Sequence, residues 1–191
     1  RPKVLVTAPM SDIDTSALAT RAPDFDSLVA DVPATPFRPE PVGPDAMACW
    51  LYTSGTTGSP KAAVHCHRTL PACRHYGIDV LGVTAADRIF ATSRLFFPYA
   101  LGNALLIPLF ARAAAYVDPI WPDTAAVARV MSELRPTLFF WVPTMYARLL
   151  RGDLPSDVFS SVRACVSAGE GLPAEIYDPP QDRWVPIVDR S

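Results

Sequence analysis

The densest chemistry in this 191-residue chain lies in Tyr52-Thr53-Ser54-Gly55-Thr56-Thr57-Gly58-Ser59-Pro60-Lys61, where hydroxyls, two glycines and a lysine follow an apolar run. Glycines let backbone N–H groups approach an anion, hydroxyls add donors, and the lysine adds positive charge, so the stretch is built as a phosphate cradle. Gly55, Gly58 and Lys61 are spaced G-x-x-G-x-x-K, which is not the Walker A loop. Composition alone would also suit a flexible turn with an incidental lysine, but the ordered string is far more specific than its composition.

Three further segments carry chemistry or shape. Arg94-Leu95-Phe96-Phe97-Pro98-Tyr99-Ala100-Leu101-Gly102-Asn103 is aromatic and apolar, Trp141-Val142-Pro143-Thr144-Met145-Tyr146 is a Pro-containing turn, and Val166-Ser167-Ala168-Gly169-Glu170-Gly171-Leu172-Pro173 is a second small-residue loop. Each alone is compatible with core packing. His65-Cys66-His67, with Cys73 and His75 nearby, raises zinc, but on a strand Cys66 points away from the two histidines and no spaced second pair exists. No metal site is expected.

These segments need elements to position them. Ala46–Tyr52 has the length and apolarity of a strand buried on both faces, followed by a second strand at Ala62–Cys66 and a helix over Arg68–Leu81 with Pro71 in its first turn. Strands are expected at Arg88–Thr92, Ala114–Val117, Thr137–Val142 and Val162–Ser167, with helices near Leu101–Ala111 and Met145–Leu150. Asp123 is placed to cap a helix whose Val127, Val130, Met131 and Leu134 share a face, and Pro136 stops it. Strands alternating with helices predict an α/β fold, a mostly parallel helix-covered sheet with ligands at the carboxyl ends of strands. Residues 1–45 read as a Pro-rich connecting arm with one short helix around Asp24–Ala30, 46–176 as the functional part, and 177–191 as a solvated tail.

Composition narrows the class. Seventeen Lys+Arg against 19 Asp+Glu leave a net charge of −2, with no basic block for nucleic acid or a membrane surface. Leu95–Ala111 is uncharged between Arg94 and Arg112, but Pro98, Gly102, Asn103 and Pro108 make it a buried strand end and core helix rather than a span. The four cysteines form no Cys-x-x-Cys pair and read as reduced thiols in a cytoplasmic protein.

In order and spacing, the Thr53–Lys61 string resembles the signature of the adenylate-forming superfamily, which includes acyl-CoA synthetases, luciferases and peptide-synthetase adenylation domains. The Arg94–Asn103 segment is similar to the acyl-pocket segment of benzoate-CoA ligases, Trp141–Tyr146 to the family's Val-Pro-Thr turn, and Val166–Pro173 to its adenine loop. The resemblance covers most of 46–176 and implies part of the large N-terminal domain of such an enzyme.

The resemblance implies that a carboxylate, here an aromatic one, is joined to ATP as an acyl-adenylate and passed to coenzyme A, with Mg²⁺ on the phosphates. It implies that Thr53, Ser54, Gly55, Thr56, Thr57, Gly58 and Lys61 hold the phosphates, with Lys61 and Thr56 as candidate catalytic residues. Gly169, Glu170 and Gly171 would flank adenine, and Pro98, Tyr99 and Asn103 would line the acyl pocket. The partners implied are small molecules, with a homodimer for a full-length enzyme. Two departures stand out: Ala62 replaces the family's glycine after the lysine, and Tyr177-Asp178-Pro179-Pro180 interrupts the expected next helix. The family's acidic motif, ribose-binding aspartate, hinge and C-terminal domain with its catalytic lysine are not in these residues, so these residues alone are expected not to make acyl-CoA. The alternative expectation is a truncated, non-catalytic remnant with weak nucleotide binding.

Overall fold

A computed structural model describes residues 25–30, 32–33, 35–36, 38–53, 60–118, 122–151, 155, 157–169, 171 and 187–189. The chain divides into two units, Arg1–Pro41 and Val42–Ser191. In the first, the described structure is one short helix, α1 (Phe25–Ala30), matching the expected helix at Asp24–Ala30.

The second unit begins with β1 (Met47–Thr53) and β2 (Lys61–Cys66), paired antiparallel as their own two-stranded sheet. This corrects the expectation of a first strand buried on both faces: Met47, Trp50 and Tyr52 are more than half exposed. An antiparallel pair can leave a face to solvent, and an apolar run does not reveal which faces are covered.

The remaining strands form a five-stranded, all-parallel sheet: β3 (Arg88–Ala91), β4 (Ala114–Tyr116), β5 (Leu138–Trp141), β6 (Ala164–Ser167) and β7 (Ile187–Asp189), in the order β4-β3-β5-β6-β7. The expected tail therefore contributes a strand at the sheet's edge, with Ser167 in register with Asp189.

Helices cover both faces. Downstream of β2 come a 3-10 turn (His67–Thr69), α2 (Ala72–Arg74) capped by Pro71, and a π-helical segment (His75–Val80). Between β3 and β4 run α3 (Pro98–Ala100), a second π-helical segment (Leu101–Leu106) and α4 (Ile107–Ala111). Both regions were expected as helix, and the π turns within them are a departure that apolar spacing does not announce; such turns often sit at functional sites. The helix α5 (Thr124–Leu134) begins where expected, with the Asp123 carboxylate accepting from the Ala126 amide at 2.7 Å. It ends on Arg135 at φ 46, one residue before Pro136. The last helix is α6 (Pro143–Arg151).

Alternation along the strands sorts the core into two layers. Phe90, Phe139, Trp141 and Cys165 pack with Val127, Val130 and Met131 of α5 and Met145, Tyr146 and Leu149 of α6. On the other face Ile89, Leu138, Phe140 and Val166 pack with Leu81, Val83, Ala104 and Ile107. The chain leaves β3 over one face to reach β4 and returns over the other to β5. The sheet's topological switch point therefore lies between β3 and β5, where crevices form beyond the carboxyl ends of strands. Among the described residues no helix is long and apolar enough to cross a membrane.

Candidate functional site

The candidate residues gather in two places. Thr53 ends β1 and Lys61 begins β2; they are register partners and stand at the two feet of the loop between the strands. Both are exposed. Ser54, Gly55, Thr56, Thr57 and Gly58 belong to that loop and lie outside the described residues, as does Glu170. The hairpin thus presents a hydroxyl and an ammonium where an anion could be bound. Ala62, the departure beside Lys61, is exposed on β2 opposite Tyr52.

The second group stands at the carboxyl edge of the parallel sheet. After β3 the chain reaches Phe96 and Phe97, whose rings lie 4.5 Å apart and are largely exposed. Phe97 is extended (φ −86, ψ 138), and Pro98 opens α3, where its missing N–H costs nothing. Pro98 is exposed, whereas Tyr99 is half-buried and Asn103 is only 5% exposed. The Tyr99 ring meets Phe140 edge-on, centroids 6.3 Å apart, and its hydroxyl donates to the Val166 carbonyl at 2.8 Å, with the Trp141 carbonyl at 3.3 Å. The candidate acyl-side residue therefore touches the strand that leads into the Gly169–Gly171 segment.

Tyr146, which sequence reasoning placed in the Trp141–Tyr146 segment and the short helix Met145–Leu150 without a role at the site, reaches the same carbonyl: its hydroxyl is 3.1 Å from both the Val166 and Phe139 carbonyls. Burial pushes both phenols well above their usual pKa, so they are permanent donors. Burial likewise pushes the Cys165 thiol, beside Tyr146, up to about 12, against any nucleophilic role.

Beyond Val166 the edge is polar but unsatisfied. Thr92 Oγ1, Trp141 Nε1 and Ser167 Oγ are buried with no hydrogen-bond partner among the described residues. They sit at or just past the ends of β3, β5 and β6, and Trp141 pairs in register with Ser167. Gly169 has φ +93, where a side chain is strained, and a Cβ at Gly171 would meet nothing within 4 Å. Uncommitted donors beside an open glycine loop fit a polar, ring-bearing ligand such as a nucleotide.

Among the described residues no three His, Cys, Asp or Glu side chains could hold an ion together. His65 Nδ1 lies 3.4 Å from the Thr69 hydroxyl at the turn after β2, and His75 pairs with Asp79 at 2.8 Å.

Comparison with known proteins gives the family. A family model described as "AMP-binding enzyme" matches residues 2–189. The chain is 43% identical over 154 residues to the 3-hydroxybenzoate–CoA ligase of Aromatoleum sp. (strain CIB), a match covering 80% of the chain and 29% of that ligase. Its fold is similar to a benzoate CoA ligase from Burkholderia xenovorans LB400, with TM-score 0.76 and 35% identity over 88% of this chain and 34% of that one. It is also similar to an anthranilate CoA ligase in complex with anthranoyl-AMP, with TM-score 0.73 and 31% identity over 86% and 32% of the two chains. The chain thus spans about a third or less of the length of these relatives. Its sheet, its glycine loops and the family match over 2–189 together establish that the chain belongs to the AMP-binding enzyme family.

Proposed function

We propose that this chain supplies the phosphate loop, adenine loop and part of the acyl pocket of a ligase that activates an aromatic carboxylic acid with ATP and passes the acyl group to coenzyme A. The observation that carries the reading is the meeting of Tyr99, from the acyl-side segment, with Val166 at the root of the Gly169–Gly171 segment. A bound acid and a bound nucleotide would then share one sheet edge. The likeness to ligases for 3-hydroxybenzoate, benzoate and anthranilate supports an aromatic acid.

In the first half-reaction a carboxylate oxygen attacks the α-phosphorus of ATP and pyrophosphate leaves. In the second, the thiol sulfur attacks the acyl carbon, its proton is lost to solvent, and AMP leaves. Both reactants of the first step are anions, so positioning and charge neutralisation dominate. Lys61, with Thr53, Ser54, Gly55, Thr56, Thr57 and Gly58, would grip the β- and γ-phosphates. Thr56 and Lys61 would stabilise charge on the departing pyrophosphate. Gly169, Glu170 and Gly171 would flank adenine, while Tyr99 and Asn103 would wall an apolar pocket suited to a flat ring, with Pro98 at its mouth. When bound, Mg²⁺ would supply charge neutralisation to the phosphates held by the loop residues. The site-bearing part is 46–176, the adjoining arm and tail segments flank it, and a full-length ligase would be a cytoplasmic homodimer.

Equilibrium binding of ATP to the purified chain tests the nucleotide half. Lys61→Ala is expected to weaken it about 10- to 100-fold, the worth of a charge-assisted contact. In a ligase carrying this segment, exchange of pyrophosphate into ATP should depend on benzoate, 3-hydroxybenzoate or 2-aminobenzoate. Exchange supported only by acetate or long-chain acids would overturn the aromatic assignment.

A further inference from the structure

Two tyrosines converge on one main-chain atom from opposite sides of the sheet. Phe139 and Phe140 alternate, so they project from opposite faces. The Tyr146 ring packs edge-on against Phe139 at 5.6 Å, and the Tyr99 ring against Phe140 at 6.3 Å. Both hydroxyls nevertheless reach the Val166 carbonyl, at 3.1 and 2.8 Å. A carbonyl oxygen has two lone pairs and can accept both protons. Each hydroxyl also lies beside a carbonyl of β5, Trp141 for Tyr99 and Phe139 for Tyr146, so its single proton is shared between β6 and β5.

Val166 is the penultimate residue of β6, and Gly169 follows three positions later with its strained-for-others φ of +93. We propose that Tyr99 and Tyr146 are positioning residues: their hydroxyls clamp the Val166 carbonyl through the sheet and so set the direction in which residues 167–171 leave it. Because Tyr99 stands in the acyl-side segment and Tyr146 does not, movement of Tyr99 on filling the acyl pocket is felt at the nucleotide loop. This coupling rests on the function proposed above; the clamp itself does not. Sequence positions 99 and 166 lie 67 residues apart, so one side chain joins segments distant in the chain.

Tyr99→Phe and Tyr146→Phe keep the ring and remove only the hydroxyl, and both are tested in the full 191-residue chain. Amide hydrogen exchange at residues 167–171 is expected to quicken about threefold to tenfold in each, the worth of one buried hydrogen bond, while Ile89 and Phe90 in mid-β3 keep the wild-type rate. A merely structural role would speed β3 equally, and that result, or unchanged exchange at 167–171, overturns the clamp. ATP binding is then measured with and without benzoate. Benzoate should tighten ATP binding to the wild-type chain and to Tyr146→Phe but not to Tyr99→Phe; equal tightening in all three overturns the coupling. A wild-type chain that binds no ATP overturns the nucleotide reading and the coupling with it, while the exchange rates still decide the clamp.

Discussion

Replacing Asp87 by Asn removes one charge at the point where three strands of the sheet begin. Asp87 precedes β3, Thr137 precedes β5 and Arg163 precedes β6, and the Asp87 carboxylate, 6% exposed, gathers them. It accepts from Arg163 Nε at 3.0 Å and Nη2 at 3.1 Å, from the Thr137 hydroxyl at 2.6 Å, and from the Thr84 amide at 2.8 Å. Burial alone would raise its pKa, but the Arg163 guanidinium and the Thr137 and Thr84 donors outweigh that and hold it at about 2 against an ordinary 3.8. That difference corresponds to about 2 kcal/mol of stability. The folded-state pKa is the depressed one, so this contribution is complete above the unfolded value near 4 and is lost as pH falls through about 2. Asp87→Asn also strands Arg163, which is 42% exposed on its side chain and keeps its bonds to the Leu81 and Gly82 carbonyls. The total cost at pH 7 is therefore about 2–3 kcal/mol rather than the upper range for a fully buried pair. Urea midpoints at pH 7 should fall by about 1–2 M, and the gap between the two proteins should narrow steadily below pH 4 as the wild-type carboxylate protonates. A gap that stays constant from pH 6 to pH 2, or one below about 0.5 kcal/mol at pH 7, would refute the assignment of this charge as a sheet-joining element.

Two further outcomes follow from local geometry. Gly77→Ala places a Cβ 2.5 Å from Ile107 Cγ2 and 2.8 Å from its Cγ1, and Ile107 is itself 1% exposed, so the π-helical segment and α4 must separate; a loss of about 1–3 kcal/mol in urea unfolding is expected. Asp123→Ala deletes the acceptor for the Ala126 amide and should cost about 1 kcal/mol, read as a lower thermal midpoint with no change at residues 167–171 in amide exchange.

Much of the sheet was legible because its signals are local. Leu138–Trp141 is apolar throughout and buried throughout, as a central parallel strand must be. The Asp123 cap and the Val127, Val130 and Met131 stripe fix α5 to its first residue and its buried face. What failed was information that is not local. Met47–Thr53 reads as apolar as a central strand, yet its antiparallel partner is the next strand and its faces stay largely open. Ile187–Asp189 is too short to stand out from Pro-rich surroundings, and it is a strand only because Cys165–Ser167 offers it an edge. The same holds at the site. The loop string around Gly55, Gly58 and Lys61 and the Gly169–Gly171 segment announce themselves by the order of their residues, whereas the use of the Tyr99 and Tyr146 hydroxyls depends on a carbonyl 67 and 20 residues away.

The two ends of the parallel sheet differ in how their polar groups are spent, and the difference supports the proposed site without reference to any motif. At the amino ends, polar groups are spent on one another: Asp87, Thr137 and Arg163 interlock, Arg88 donates to the Leu134 and Arg135 carbonyls that end α5, and the Ser161 hydroxyl donates to the Pro136 carbonyl at 2.8 Å. At the carboxyl ends, Thr92 Oγ1, Trp141 Nε1 and Ser167 Oγ are buried and unpartnered among the described residues. Each such atom costs about 1–3 kcal/mol of lost hydration, which folding alone has no reason to accept at one edge while removing it at the other. A ligand or ordered water that accepts from these donors recovers that cost on binding, so the deficit is a source of affinity rather than a defect. The tyrosine clamp lies on this same edge, fixing Val166 between satisfied core and unsatisfied rim. Rigid backbone beneath uncommitted donors is what pre-organised recognition requires, and among the described residues of the sheet the carboxyl edge is where such donors gather.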